Sequence, residues 1–378
     1  MPIRHNEKGQ ATQAHPRYFN QNLISQKDIK TSDFSTLDRR QWFVLLTTTS
    51  PSVVKRELDK KSLMYVLEEK NVPEMFVPEC VMRVKRGANV AVRKSPLTYV
   101  FVHTTERGVA EIKKALPQLK LNAPINGVTG QRKHVALHDG EMQAFRKIAD
   151  VFGGQLPCYP ADTFDVEACD RVRIVAGAFA GVEGAMVPSQ GKEGGLVVLP
   201  MRGLFLVSVG QQSPHNYIVL EFGRGNRHPY HEFDNYLPRV TAALRQRLTT
   251  GRIDDGAYAD VVKFVHRYSE LSARTLNIES MHSSLMLMSY AALGEDCETW
   301  LVECKRLLPK LTASLQRALH QAIMYAATGE ETLARILRGT VAEWGEIAAS
   351  DRKKRTVVNL LTEFESIYAM REARQIRV

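Results

Sequence analysis

DRVRIVAGAFAGVEG, residues 170–184, is the stretch of sequence that decides how this chain folds. Its first half alternates arginine with valine or isoleucine, and this period of two is typical of a half-buried β-strand. Glycines follow at positions 177, 181 and 184, where a tight turn needs backbone freedom. The stretch therefore predicts a strand, a turn that contains Phe179, and a second strand that runs back from Gly184.

The combination of a basic alternating strand, an aromatic turn residue and three spaced glycines resembles the KOW motif. That resemblance implies a small SH3-like β-barrel of five strands, which we place over residues 165–222; the alternative is an ordinary hairpin with a glycine-rich turn. In relatives the barrel recruits a second partner, either a small-subunit ribosomal protein or the termination factor Rho. Phe179 and Val182 occupy the turn that makes such contacts, so they are expected to bind this partner, unless they instead plug one end of the barrel. Apolar runs at 196–199, 204–209 and 217–220 supply the remaining strands.

The composition of the whole chain narrows the classes of function. The chain has 378 residues, more than one core usually serves, so we expect two or three domains. Its formal net charge of +10 favours a polyanion partner such as nucleic acid. The five cysteines show no CxxC spacing, which indicates a reducing compartment and argues against a zinc site. No apolar run approaches the ~18 residues of a membrane span, so a cytoplasmic protein with no membrane partner is expected.

The first third of the chain begins with a polar tail and then alternates strands with helices. Residues 1–39 have few apolar positions to bury, so they are expected to form a loose tail. The run WFVLL at 42–46 predicts a strand that is buried on both faces. Ser50-Pro51 then predicts a helix start, because proline is favoured at the first helical position. A further strand is predicted over 96–102, and Asp139 is predicted to cap another helix.

Between these elements the sequence predicts a β-hairpin with one apolar and one basic face. Apolar and basic residues alternate on both arms of residues 80–94, around a Gly-Ala-Asn turn. The basic residues gather near the predicted tip, so they are candidates for contacts with a nucleic-acid backbone; a solvated outer face is the alternative. The five candidates are Arg83, Lys85, Arg86, Arg93 and Lys94.

The order of these elements resembles the NusG N-terminal domain, which a KOW domain follows in that family. The matching stretches are WFVL at 42–45, FVP at 76–78, YVFV at 99–102 and DGE at 139–141. Among NusG relatives, the chain looks similar to the operon-specific antiterminators of the UpxY type. The resemblance implies a ferredoxin-like sandwich over residues 40–152, whose apolar depression binds the clamp helices of RNA polymerase. By position, Trp42, Tyr99 and Phe101 would contribute to that depression; alternatively, they fill the core between sheet and helices.

Residues 230–378 are predicted to form an all-α domain, preceded by a segment of linker composition at 223–229. Apolar residues recur there at helical spacing. YAALG at 290–294 returns as YAATG at 325–329, close to the period of tetratricopeptide-type helical hairpins. A TPR-like array and a plain helical bundle are both compatible with this repeat, and the sequence does not identify the domain's partner. The expected fold class is an α+β multidomain protein.

The chain shows no Walker loop, no GxGxxG after a strand, no HExxH and no GxSxG, so no enzymatic activity, cofactor or metal is expected. Three functions are consistent with these observations. The first is a transcription elongation factor that binds RNA polymerase and acts as an operon-specific antiterminator. The second is a KOW-containing RNA-binding protein of the translation machinery. The third is a docking scaffold whose helical domain carries the function.

Overall fold

Ten α-helices and thirteen β-strands make up the part of the chain that the computed structural model describes, so the predicted mixture of helix and sheet is confirmed. The chain divides into two compact units. The first contains residues up to Phe164 together with Leu199–Ser208, and the second contains Asp165–Val198 and all residues from Val209. The described residues are 39–58, 74–86, 89–121, 136–153, 155–189, 194–224 and 229–375; the tail predicted over residues 1–39 lies outside them except for residue 39.

The first unit begins with the predicted strand at Trp42, which is buried on both faces. Pro51 occupies the first position of the next helix, as the sequence predicts. The helix predicted from Asp139 does begin there, but its N-cap is His138, whose backbone N–H donates to the Glu141 carboxylate at 2.8 Å. The elements are β1 (Gln41–Thr47), α1 (Pro51–Leu58), β2 (Glu74–Phe76), β3 (Cys80–Arg86), β4 (Asn89–Lys94), β5 (Thr98–Thr104), α2 (Glu106–Ala115), β6 (Lys120–Leu121), β7 (Ala136–Leu137), α3 (Asp139–Val151) and β8 (Leu156–Pro160).

Strands β1 and β5 form the antiparallel centre of a sheet in which β2 borders β5, and β6 and β7 border β1. Alternate residues of the two central strands face opposite sides of this sheet. One side carries Phe43, Leu45, Val100 and Val102, which pack with apolar residues of α1 and α2 into a buried cluster. The hairpin β3–β4 lies apart from this sheet, because β3 pairs in parallel with β8.

The second unit begins with the strand, turn and strand that the stretch 170–184 predicts. The turn glycines Gly177 and Gly181 have φ of 77° and 88°, the left-handed region that L-residues avoid. Gly184 is required for a different reason, since a Cβ built there would lie 2.7 Å from the backbone oxygen of Val198. The strands are β9 (Asp170–Ile174), β10 (Glu183–Pro188), β11 (Gly195–Pro200), β12 (Phe205–Gln212) and β13 (Tyr217–Glu221), and β11 and β12 have residues in both units.

Replacing Gly184 with alanine is expected to destabilise the second unit by about 2 kcal/mol, because the backbone oxygen of Val198 cannot move without breaking strand pairing. Chemical denaturation followed by circular dichroism measures this loss. The matched control is Gly339→Ala, where a Cβ meets nothing within 4 Å. That control should raise stability by up to about 1 kcal/mol, because alanine is the better helix former. Equal effects of the two substitutions would contradict the close approach at Gly184.

Seven helices follow, and their packing bears on the repeat at 290–294 and 325–329. Gly294 and Gly329 both end helices in the left-handed conformation, at φ 75° and 70°. The helices are α4 (Pro229–Thr250), α5 (Asp255–Tyr268), α6 (Leu276–Leu293), α7 (Glu298–Leu307), α8 (Ser314–Thr328), α9 (Glu331–Glu343) and α10 (Arg352–Gln375), with a 3₁₀ turn at Leu308–Lys310. None of these helices, nor any other described helix, has the length and apolarity of a bilayer span.

Helix α6 is the centre of this helical part and is buried on all sides. It packs against α4 and α8, α8 packs against α10, and α10 returns to contact α4. Helices α5, α7 and α9 lie outside this ring, packed against α4, α6 and α8 respectively. In an open repeat array each repeat contacts only its neighbours, so the closed ring of four helices favours the bundle over the TPR-like array.

The helices of the second unit also pack against its strands, through α5 and β13. Phe222, just after β13, contacts Phe233 and Tyr268, with ring centroids 5.7 and 5.9 Å apart. At the start of the predicted linker, the Gly223 N–H donates to the Asp170 carboxylate at 2.9 Å. Residues 165–198 and 209–375 thus belong to one unit. Independent folding of residues 230–378 stays a prediction.

Candidate functional site

The three predicted polymerase-binding aromatics lie on the same face of the first-unit sheet. Opposite residues of an antiparallel pair share a face, and β1–β5 pairing sets Leu46 against Tyr99, Val44 against Phe101, and Trp42 against His103. This face packs against α3, so that Phe101 is fully buried and Trp42 and Tyr99 are 4% and 7% exposed. The aromatics therefore fill the core between sheet and helix, which is the alternative that the sequence left open. Their role in polymerase binding stays a prediction.

Arg146 of α3 covers the outer side of this aromatic cluster. Its guanidinium carbon lies 4.6 Å from the centroid of the Trp42 ring, a cation–π contact, and the group is also ion-paired with Glu74. The Nε atom of Arg146 is enclosed and has no hydrogen-bond partner. A buried donor without a partner costs free energy. This cost offsets part of the stabilisation that Arg146 gains from its contacts with Trp42 and Glu74.

Tyr99 presents a hydroxyl at the edge of the cluster. Its ring packs on Phe205, with centroids 4.5 Å apart. Burial, with smaller effects from Cys80 and Cys158, raises the pKa of Tyr99 to about 12, so its hydroxyl stays protonated at neutral pH. A buried tyrosine usually hydrogen-bonds its hydroxyl, which makes this group the most suitable of the three aromatics for contact with a partner.

The predicted basic hairpin is present, but its charges are distributed differently. Arg83 pairs with Val92 and Arg93 pairs with Met82, which places the two arginines on opposite faces. The prediction of a single basic face is therefore wrong for Arg93. Lys94 pairs with Val81 at the base of the hairpin, so the prediction that it lies near the tip is also wrong. Both differences result from the pairing register of β3 and β4, because a shift of one residue moves every side chain of a strand to the opposite face.

Lys85 and Arg86, the other two candidates in the hairpin, continue β3 towards its tip. Their backbones pair with Val90 and Asn89. Their side chains lie outside the described part of the structure. The residues with described side chains on the face of Arg83 are Val81, Val92 and Lys94; this face therefore carries two of the basic candidates, and the opposite face carries Arg93.

The turn between β9 and β10 has an accessible apolar tip. Phe179 is half-buried, and Val175, at the start of the same turn, is 38% exposed. Val182 is only 1% exposed, so it packs inside, as the barrel-plugging alternative requires, whereas Phe179 keeps an accessible surface. Binding of a partner at this turn stays a prediction.

The arginines of β9 are held by carboxylates, so they are not available as independent phosphate ligands. Arg171 and Arg173 donate to Glu183 at 2.7 and 2.9 Å, and Arg173 also donates to Glu270 at 2.5 Å. Burial opposes the charge on Glu183, but the hydrogen bonds from Arg171 and Arg173 outweigh it and lower the pKa of that carboxyl. This arrangement orients β9 against β10 and the segment after α5.

The sequence did not reveal an open cavity of about 910 Å³ in the second unit. It is formed by three separate segments: the loop after α5, the first turns of α6, and α7. Each segment alone has the composition of an ordinary helix end or loop, so no local signal identified the cavity. Only the packing of α7 against α6 brings the segments together.

Comparison with known proteins leaves the chain without an assigned family, since no protein-family model matches it and no curated protein shows significant similarity to it.

Proposed function

We propose that this chain is a NusG-like transcription factor that binds RNA polymerase through its first unit and modulates elongation, as an operon-specific antiterminator. The observation that carries the proposal is the turn at 174–184, where each of the three glycines has its own structural requirement. The two strands that this turn connects, β9 and β10, are followed by three more, which agrees with the number of strands that the KOW resemblance implies.

The first unit supports the same proposal by the order of its elements. A strand, a helix, a hairpin, a strand and a helix precede α3, which is the order that suggested the NusG N-terminal domain. In the proposed complex, the clamp helices of the polymerase contact the sheet around Tyr99, and Arg146 moves off Trp42 to uncover apolar surface. The exposed tip at Val175 and Phe179 then remains available for a ribosomal protein or Rho.

Binding to core RNA polymerase tests the proposal, and Tyr99→Phe tests the contact. The substitution removes only the hydroxyl, so the ring packing on Phe205 and the fold are preserved. A lost hydrogen bond of about 1 kcal/mol lowers affinity about fivefold. Tyr258→Phe, at an exposed tyrosine of α5, is the matched control and should bind like the wild type. Absence of binding by the wild-type chain would contradict the proposed function. Unchanged binding by Tyr99→Phe would show only that the Tyr99 hydroxyl does not contact the polymerase.

The hairpin makes a separate prediction about nucleic acid. A double variant, Arg83→Gln with Lys94→Gln, should flatten the salt dependence of binding to a transcription-bubble scaffold by about 2 in log–log slope, since each phosphate contact contributes ~0.9. Arg93→Gln, on the opposite face, should leave the slope unchanged. Fluorescence anisotropy at several salt concentrations measures both. If Arg93→Gln lowers the slope as much as the double variant does, the hairpin does not bind nucleic acid through the face of Arg83 and Lys94 alone.

A further inference from the structure

The cavity of the second unit is acidic in a chain that is strongly basic. Its lining carries four glutamates and no lysine or arginine. Two arginines pair with three of these glutamates from outside the lining: Arg306 with Glu279 and Glu303, at 2.7 and 2.5 Å, and Arg173 with Glu270, at 2.5 Å. Glu298 is exposed and forms no ion pair with a described residue. The wall therefore keeps an excess of negative charge. The glutamates are Glu270, Glu279, Glu298 and Glu303.

Two buried polar side chains in the floor of the cavity have unused hydrogen-bonding capacity. His282 is 5% exposed and its Nε2 is 2.9 Å from the Tyr268 carbonyl oxygen, so Nε2 carries the proton and Nδ1 is an acceptor that has no partner among the described residues. Ser283, 2% exposed, makes no side-chain hydrogen bond to any residue that the structure describes. Neither His282 Nδ1 nor Ser283 Oγ is among the fully enclosed side-chain atoms that lack a partner in the described structure, so both keep some accessible surface, and both residues line the cavity.

An indole completes the lining. Trp300 of α7 stands edge-on to the His282 ring, with centroids 5.5 Å apart, and lines the cavity. The face of an indole attracts cations through its quadrupole, and tryptophan is the best side chain for this contact. Burial lowers the pKa of His282 to about 4, against the smaller opposite effect of its bond to Tyr268, so the imidazole is neutral at neutral pH and does not repel a cation.

We propose that this cavity binds the guanidinium or ammonium group of an organic cation. Carboxylates and the His282 Nδ1 accept its N–H donors, Ser283 adds an acceptor, and the Trp300 ring covers its apolar face. A metal ion fits less well, because no group of three His, Cys, Asp or Glu side chains in the described structure could hold one. A volume of about 910 Å³ accommodates a basic side chain or a short polyamine. The inference is independent of the proposed role in transcription.

Calorimetric titration of the full chain tests the proposal with three probes: agmatine, spermidine, and a blocked tripeptide Gly-Arg-Gly. A blocked Gly-citrulline-Gly tripeptide is the neutral isostere. At least one cationic probe should bind ten times more tightly than the neutral peptide. Tighter binding of the arginine peptide assigns the cavity to a side chain of a polypeptide, and tighter binding of the free amines assigns it to a metabolite. If no cationic probe binds more tightly than the neutral peptide, the proposal is wrong.

Two variants locate the binding. Trp300→Leu should weaken it roughly five- to tenfold, the size expected for loss of one cation–π contact. Glu298→Gln, an exposed substitution that leaves packing intact, should weaken it at least threefold. The matched control is Glu295→Gln, which removes the same charge from the exposed loop before α7, outside the lining, and should bind like the wild type. Equal losses of affinity for Glu298→Gln and Glu295→Gln would show only a general electrostatic attraction between the cation and the protein. The proposal that the cavity is the binding site would then be wrong.

Discussion

Phe233→Ala is expected to destabilise the second unit by about 4 kcal/mol, within the range measured for removing a buried aromatic side chain. Phe233 of α4 is fully buried, and its ring contacts the segment after the last strand and two other helices, α5 and α6. Its ring centroid is 5.7 Å from those of both Phe222 and Tyr268, and 6.3 Å from those of Phe264 and His282. Its removal leaves a cavity that these rings cannot all close, because they are held by three separate segments: the end of the strands, α5 and α6.

The loss should appear as a lower midpoint of urea denaturation, with an unchanged slope, in the helical circular dichroism signal. A loss of this size is a large part of the 5–15 kcal/mol that stabilises a typical domain, so partial unfolding at physiological temperature is expected. The control is Tyr258→Ala, on the exposed side of α5, which should change stability by less than about 0.5 kcal/mol. A loss below about 1.5 kcal/mol for Phe233→Ala would mean that strands and helices are not joined through this residue.

Acidification is expected to destabilise the second unit through His282. Burial is the main cause that lowers the pKa of His282 to about 4, whereas the unfolded chain has the ordinary value of about 6.5. Between these two values the unfolded state binds the proton and the folded state does not. Stability therefore rises with pH in this window and is lost as pH falls from about 6.5 to about 4, by up to about 3 kcal/mol.

Denaturation curves at several pH values measure this effect, with His282→Gln as the comparison. Glutamine retains an N–H that can donate to the Tyr268 carbonyl but does not titrate, so the variant should lose less stability on acidification than the wild type. His320, whose pKa burial also lowers, is present in both proteins and cancels in the comparison. His266→Gln, at an exposed position of α5, controls for removal of a histidine in general. Parallel pH curves for wild type and His282→Gln would contradict the prediction.

The sequence by itself determined the features that depend on local backbone geometry. The turn at Gly177 and Gly181 was predicted correctly because glycine adopts a positive φ without steric cost, so the residue type alone indicates where such a turn can form. The helix start at Pro51 was also predicted from the residue type alone. The buried strand at Trp42 was likewise predicted from its uninterrupted apolar run.

Only the tertiary structure decided which faces are covered and which residues meet. Arg83 and Arg93 look equivalent in the sequence, but strand register places them on opposite faces. Tyr99 and Trp42 could have lined an open depression, and α3 covers them instead. The acidic cavity requires α7 to pack on α6, so that Glu298 and Trp300 approach His282. The register of the hairpin is set by its turn, whereas burial results from packing between segments far apart in the chain, and the alternation of apolar and basic residues encodes neither of them.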